Sequence, residues 1–170
     1  MKRQVFEPAL YTIRVDELSL SGAALLELMR EVLSKGLPFR FRAKGWSMLP
    51  FIRDGDVISI SPLTPASPGI GDVVAFVRPG SGSLVVHRVV ARRDSACLIQ
   101  SDNSWGQGDG LVPRGSILGR VTRVERGDRS IRLGLGPERF LIAYLSRLGL
   151  LLPVWRRAAP LFRRIFRRSS

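Results

Sequence analysis

The 170-residue chain holds one cysteine, Cys97, and one histidine, His87. A single thiol excludes an internal disulfide framework and a cysteine-rich metal site, and it leans the protein toward a reducing compartment. A single imidazole means that any histidine chemistry must run through position 87. No metal or cofactor is expected. Acidic residues are also scarce, with 14 Asp and Glu against 27 Lys and Arg, a formal charge of +13 and an isoelectric point near 11.5. None lies beyond Glu138, whereas Arg139, Arg147, Arg156, Arg157, Arg163, Arg164, Arg167 and Arg168 all follow it. Much of the excess charge therefore sits in the tail and points to an anionic partner. Long apolar runs are missing too. Glu7, Arg14, Asp16 and Glu17 break every N-terminal window of signal-peptide length. Residues 140–155 are interrupted by Arg147, Gly149 and Pro153, short of the roughly 20 apolar residues a spanning helix needs. Neither a secretory signal nor an N-terminal membrane span is expected.

What is present suffices for one domain with a core: 45% of residues are hydrophobic and 8% aromatic. Residues 1–20 alternate weakly, as a first strand or an ordered arm would. Ser21 has the character of a helix N-cap; Leu25, Leu26, Met29, Val32 and Leu33 then recur at helical spacing up to Gly36, predicting a helix over 22–35. From residue 39 the period shortens to strand-like runs at 39–43, 56–60, 72–78, 83–92, 96–101, 116–125 and 130–133. Residues 79–82 and 126–129 have hairpin-turn composition, and 61–71 that of a longer loop. The expected fold is mainly β and antiparallel, with one N-terminal helix and a C-terminal amphipathic helical tail. Its expected division is 1–38 for the arm and helix, 39–136 for the β domain, and 137–170 for the basic tail. Within that tail Leu161, Phe162, Ile165 and Phe166 alternate with arginine pairs, a pattern that suits a helix lying on an anionic membrane surface. A core-packing helix followed by a loose basic end is the plainer alternative.

The chemistry centres on Gly45-Trp46-Ser47-Met48-Leu49-Pro50. A serine between a glycine and a proline, at the end of a strand-like segment, sits where the backbone must turn and leave the hydroxyl accessible. Such an alcohol is a weak nucleophile until a base takes its proton. His87 follows 40 residues later in the alternating run Leu84-Val85-Val86-His87-Arg88-Val89-Val90, which fixes its direction. A lone strand histidine is more often structural than catalytic, so its context decides.

That context is a series of short motifs. After the serine turn come Arg53-Asp54-Gly55-Asp56-Val57, Ile70-Gly71-Asp72-Val73-Val74-Ala75-Phe76, His87-Arg88-Val89, Ser101-Asp102-Asn103-Ser104 and Ile117-Leu118-Gly119-Arg120-Val121. In order and spacing, across nearly half the chain, they resemble the signal peptidase I family (serine peptidases of the S24/S26 type), and more closely its Ser–His branch of archaeal and endoplasmic-reticulum type. The resemblance implies an antiparallel β peptidase fold, with Ser47 as nucleophile, His87 as general base, and Asp102 or Asp109 as the carboxylate behind the imidazole. It also implies a substrate cleft around Gly45, Trp46 and Met48, although large apolar residues beside a turn are commonly core. Two departures stand out. Ser101 occupies the place of a glycine in the acidic box, and Gly45 stands where part of the family has an oxyanion serine, so the oxyanion donor falls to backbone such as the Ser47 amide. Asp54, Asp56 and Asp72 fit turn and strand-entry roles. Lys44 and Arg88 neighbour the reactive positions in sequence and so point to other faces, while Trp105 is structural or cleft-lining.

The expected activity is that of a serine endopeptidase cleaving a leader or precursor polypeptide at an extended site. It would be associated with the cytoplasmic membrane, on a face the sequence leaves open, and no specific nucleic acid is expected as partner. Two alternatives compete. One is a LexA-like self-cleaving regulator, disfavoured because fewer than fifty residues precede Ser47 and they hold one clear helix. The other is an inactive membrane- or nucleic-acid-binding relative.

Overall fold

The change of hydrophobic period at Phe39 is reproduced as a helix followed by strands. The computed structural model describes residues 13–15, 22–66, 68–104 and 108–166, with the side chains of 22–66, 68–104 and 108–158. In chain order the elements are β1 (Ile13–Val15), α1 (Gly22–Ser34), β2 (Phe39–Arg42), β3 (Val57–Pro62), β4 (Val73–Val77), β5 (Leu84–Arg92), β6 (Ala96–Gln100), β7 (Gly108–Pro113), β8 (Ile117–Arg126), β9 (Arg129–Ile131), α2 (Arg139–Arg147) and α3 (Leu151–Phe166). Ser21, Trp105, Gly106, Gln107 and the side chains of Leu161, Phe162, Ile165 and Phe166 lie outside the described residues.

The strands form one sheet in the order β1-β2-β3-β8-β4-β5-β6-β7, with β9 paired to β8. Every pairing is antiparallel except β1 with β2. The fold is thus the antiparallel β architecture expected, with helices at its ends. β4 shows why it holds together. Val73 and Ala75 enter one core cluster with Met29, Phe39, Ile58 and Val121, while Val74 and Phe76 enter a second with Val89, Cys97, Ile99 and Val112. Side chains alternate between faces along a strand, so a central strand buried on both sides must be apolar throughout. Truncating Phe39 or Phe76, both fully buried, to alanine would cost about 3–5 kcal/mol.

α1 covers the first cluster with Met29, Val32 and Leu33 and stops at Gly36. A third, smaller cluster joins the helical tail to the sheet domain through Phe51, Ile142 and Leu151, flanked by Leu145 and Trp155. The tail is therefore two helices, the first docked against the domain, rather than one continuous segment. Among the described residues no helix is long and apolar enough to cross a membrane. β7 is the one strand missing from the sequence-based set; its run Gly-Asp-Gly-Leu-Val-Pro has turn composition and becomes a strand through its pairing with β6.

Candidate active site

Ser47 lies on the turn that leaves β2. Gly45 makes this turn at φ +94°, a conformation that strains any residue with a Cβ. Its amide donates to Asp54 Oδ1 at 2.8 Å, so Asp54 shapes the serine turn. Asp56 braces the following segment: it accepts from the Arg53 amide and, through both oxygens, from Arg126, which also donates to the Phe51 carbonyl. Asp72 accepts from the Gly69 amide at the entry to β4. Ser47 itself is exposed. With Gly45, Met48, Leu84 and Val86 it lines a cavity of about 670 Å³ between α1, the end of β2 and the start of β5. Met48 is at once core and cavity wall, being 4% exposed. Trp46, expected at the cleft, stands outside the cavity lining and is 63% exposed. Lys44, expected from strand alternation to point to another face than Ser47, lines the same cavity as Ser47, since both lie beyond the end of β2.

His87 is buried on β5, its ring centroid 6.3 Å from that of Phe76. Its Nδ1 is hydrogen-bonded to Asp109 Oδ2. The contact depends on a β-bulge: Gln100 pairs with Gly108 and Ile99 with Gly110, which leaves Asp109 as the extra residue on β7. Bulges re-aim side chains, and this one sends the carboxylate across β6 to the imidazole. Arg78, at the end of β4, holds the other oxygen, donating from Nε at 3.0 Å and Nη2 at 2.5 Å to Asp109 Oδ1. Burial pushes the Asp109 carboxyl up, but the contacts to His87 and Arg78 outweigh it and hold the group below its ordinary value. An ionised carboxylate only accepts, so Nδ1 carries the ring proton and Nε2 is left as the basic nitrogen.

Asp102 goes elsewhere. It forms a bidentate pair with Arg88, at 2.8 and 2.7 Å, and both side chains are fully buried. Arg88 also donates to the carbonyls of Gly71 and Gly134 and lies 5.4 Å over the Phe51 ring. Of the two carboxylates proposed for the imidazole, the structure brings Asp109 to it, and Asp102 is fully engaged by the arginine next in sequence. Strand alternation sends those two neighbours to opposite faces.

Ser101 ties the acidic loop to the Ser47 turn. β6 pairs with β5 as far as Arg88 with Gln100, and Ser101 is the first residue beyond that strand. Ser101 Oγ donates to the Ser47 carbonyl at 2.5 Å, the Asn103 amide donates to the same carbonyl at 2.8 Å, and Asn103 Nδ2 donates to that of Trp46 at 3.1 Å. The acidic loop thus grips the serine turn. No hydrogen bond joins Ser47 to His87, and His87 stands outside the lining of the cavity that Ser47 lines; in unliganded sites the bond between nucleophile and base is often long.

Sequence reasoning missed Arg78 and the bonding role of Ser101; both act on residues distant along the chain, 31 positions in the first case and 54 in the second. Cys97 offers no rival nucleophile, since it is buried and burial pushes its thiol up. Among the described residues no three His, Cys, Asp or Glu side chains are grouped to hold a metal ion.

The model of the family described as Peptidase S24-like matches residues 14–122, well over half of the chain and a span that includes Ser47, His87, Asp102 and Asp109. No curated protein matches the chain. The chain belongs to the Peptidase S24-like family.

Proposed function

We propose that this member of the Peptidase S24-like family is a serine endopeptidase of the Ser–His signal-peptidase type, cleaving a leader or precursor polypeptide. Ser47 attacks the scissile carbonyl while His87 Nε2 takes the hydroxyl proton and later delivers it to the leaving amine. Asp109 holds the imidazole tautomer and stabilises the imidazolium as it forms. The Ser47 amide is the candidate oxyanion donor, since that of Gly45 is committed to Asp54.

The observation that carries this reading is the Asp109–His87 contact, together with a loop that grips the Ser47 turn. Polypeptide as substrate is supported by the sheet. Residues 84–87 of β5 pair with β4 on one side, whereas β6 pairs only from Arg88 onward. Among the described residues no strand pairs with the other edge of 84–87, which runs along the cavity that Leu84, Val86 and Ser47 line and could take an incoming strand. An extended peptide added there would run toward the reactive pair.

The test is labelling by a fluorophosphonate probe with peptide mapping, alongside cleavage of a leader-peptide library by the full-length chain. Labelling at Ser47 that is lost in His87→Ala, with cleavage in trans, is expected. Labelling elsewhere, or library cleavage retained in Ser47→Ala, overturns the assignment. A cut within the chain itself, at a rate independent of protein concentration, would mark a LexA-like self-cleaving regulator instead.

A further inference from the structure

α2 is apolar nearly all the way round. Its inner face, Ile142, Ala143 and Leu145, packs on the domain together with buried Ser146. Its outer face presents Phe140, Leu141, Tyr144 and Leu148, each at least half exposed. These four fall within about a third of a turn of one another on a helix of 3.6 residues per turn, so they form one stripe. Leu150 and Val154 continue the exposed apolar surface into the turn and the first part of α3. A helix of this kind calls for cover on both sides, and the domain supplies one.

Charge identifies the cover. Arg147 is exposed at the margin of the stripe and Arg156 and Arg157 are exposed on α3. From residue 139 to the last there are eight arginines and no acidic residue. A second copy of this face would set like charges against each other, whereas an anionic bilayer answers both features: acyl chains for the apolar stripe and headgroup phosphates for the arginines. We infer that the outer face of α2 and the first turns of α3 dock on an anionic membrane surface, lying in the interface rather than crossing it. The inference is independent of the peptidase chemistry, because none of these side chains contacts Ser47, His87 or Asp109.

The experiment is cosedimentation of the full-length chain with vesicles of phosphatidylcholine alone or mixed with phosphatidylglycerol. Binding to the mixed vesicles should be tighter by about tenfold or more and should weaken with added salt. The exposed double variant Leu141→Glu/Tyr144→Glu should lose at least about tenfold in partitioning, with an unchanged thermal midpoint and unchanged fluorophosphonate labelling at Ser47. Arg147→Ala should lose about fivefold. Ser47→Ala should bind as the parent does. Equal partitioning into both vesicle types, or full binding by the double variant, overturns the inference. So does a stable dimer that the double variant dissolves, which would make the face an interface between copies, or preferential binding of random duplex DNA over vesicles.

Discussion

His87 and Arg88 are consecutive residues of one strand, each paired with an aspartate, and the two pairs are built for opposite ends. On one face the Arg88–Asp102 pair is sealed, bidentate, and tied further to two backbone carbonyls and an aromatic ring. Four hydrogen bonds hold the guanidinium in a fixed place, and such a pair specifies structure rather than chemistry. On the other face His87–Asp109 is shared with Arg78, whose side chain is 42% exposed. In the proposed mechanism a proton arrives and leaves there. Strand alternation alone separates a group that must stay charged from one that must change charge.

Substitutions should break this contrast in order of effect. On the His87 face, Ser47→Ala or His87→Ala should lower peptide cleavage by at least about 10⁴-fold; Ser47→Ala should leave the urea midpoint nearly unchanged, whereas His87→Ala should cost about 1–3 kcal/mol, because the buried carboxylate of Asp109 loses a hydrogen-bond partner. Asp109→Asn should lower turnover by up to about 10⁴-fold, since the amide favours the wrong tautomer, and the folded protein should persist. On the sealed face the signature inverts. Asp102→Ala should cost about 3–5 kcal/mol in urea unfolding, because it leaves a buried guanidinium without its partner, and any activity change should follow the folded fraction.

Acid titration sharpens the same contrast. With its folded value below the ordinary 3.8, Asp109 contributes its stabilisation in full above that ordinary value and loses it as pH falls through the lowered one. Arg78→Met should bring the folded value back toward the ordinary one and so shrink the stabilisation lost across this window, and Asp109→Asn should abolish that part of the pH dependence; unfolding midpoints across the acid range check both. Ser101→Gly, the smallest change, should slow cleavage only a few-fold by loosening one hydrogen bond to the serine turn.

The β fold was legible because β4 and β5 carry their burial in the type of residue at each step, and α1 in its three-and-four spacing. The hairpins at 78–83 and 126–129 were legible from turn chemistry. β7 was not: Gly108, Asp109 and Gly110 spell a turn locally, and only the edge of β6 makes them a strand. The same residues explain why the carboxylate could not be chosen from the chain. Asp102 stands in the more recognisable motif, but a bulge 22 residues beyond His87 decides which acid reaches the ring. Trp46 shows the converse limit, since adjacency to Ser47 suggested a cleft wall while the side chain stands exposed outside the cavity lining.

Phe51 sits four residues beyond Ser47 with its ring beneath the Arg88 guanidinium and edge-on to Trp155 of α3, at 5.5 Å between centroids. Gly134 presses against the same ring so closely that an added Cβ would lie 2.9 Å from it. One aromatic plane is therefore keystone to both the sheet domain and the helix pair. Neither half can be redesigned, transplanted or trimmed without retouching the joint they hold in common, a few residues from the reactive alcohol.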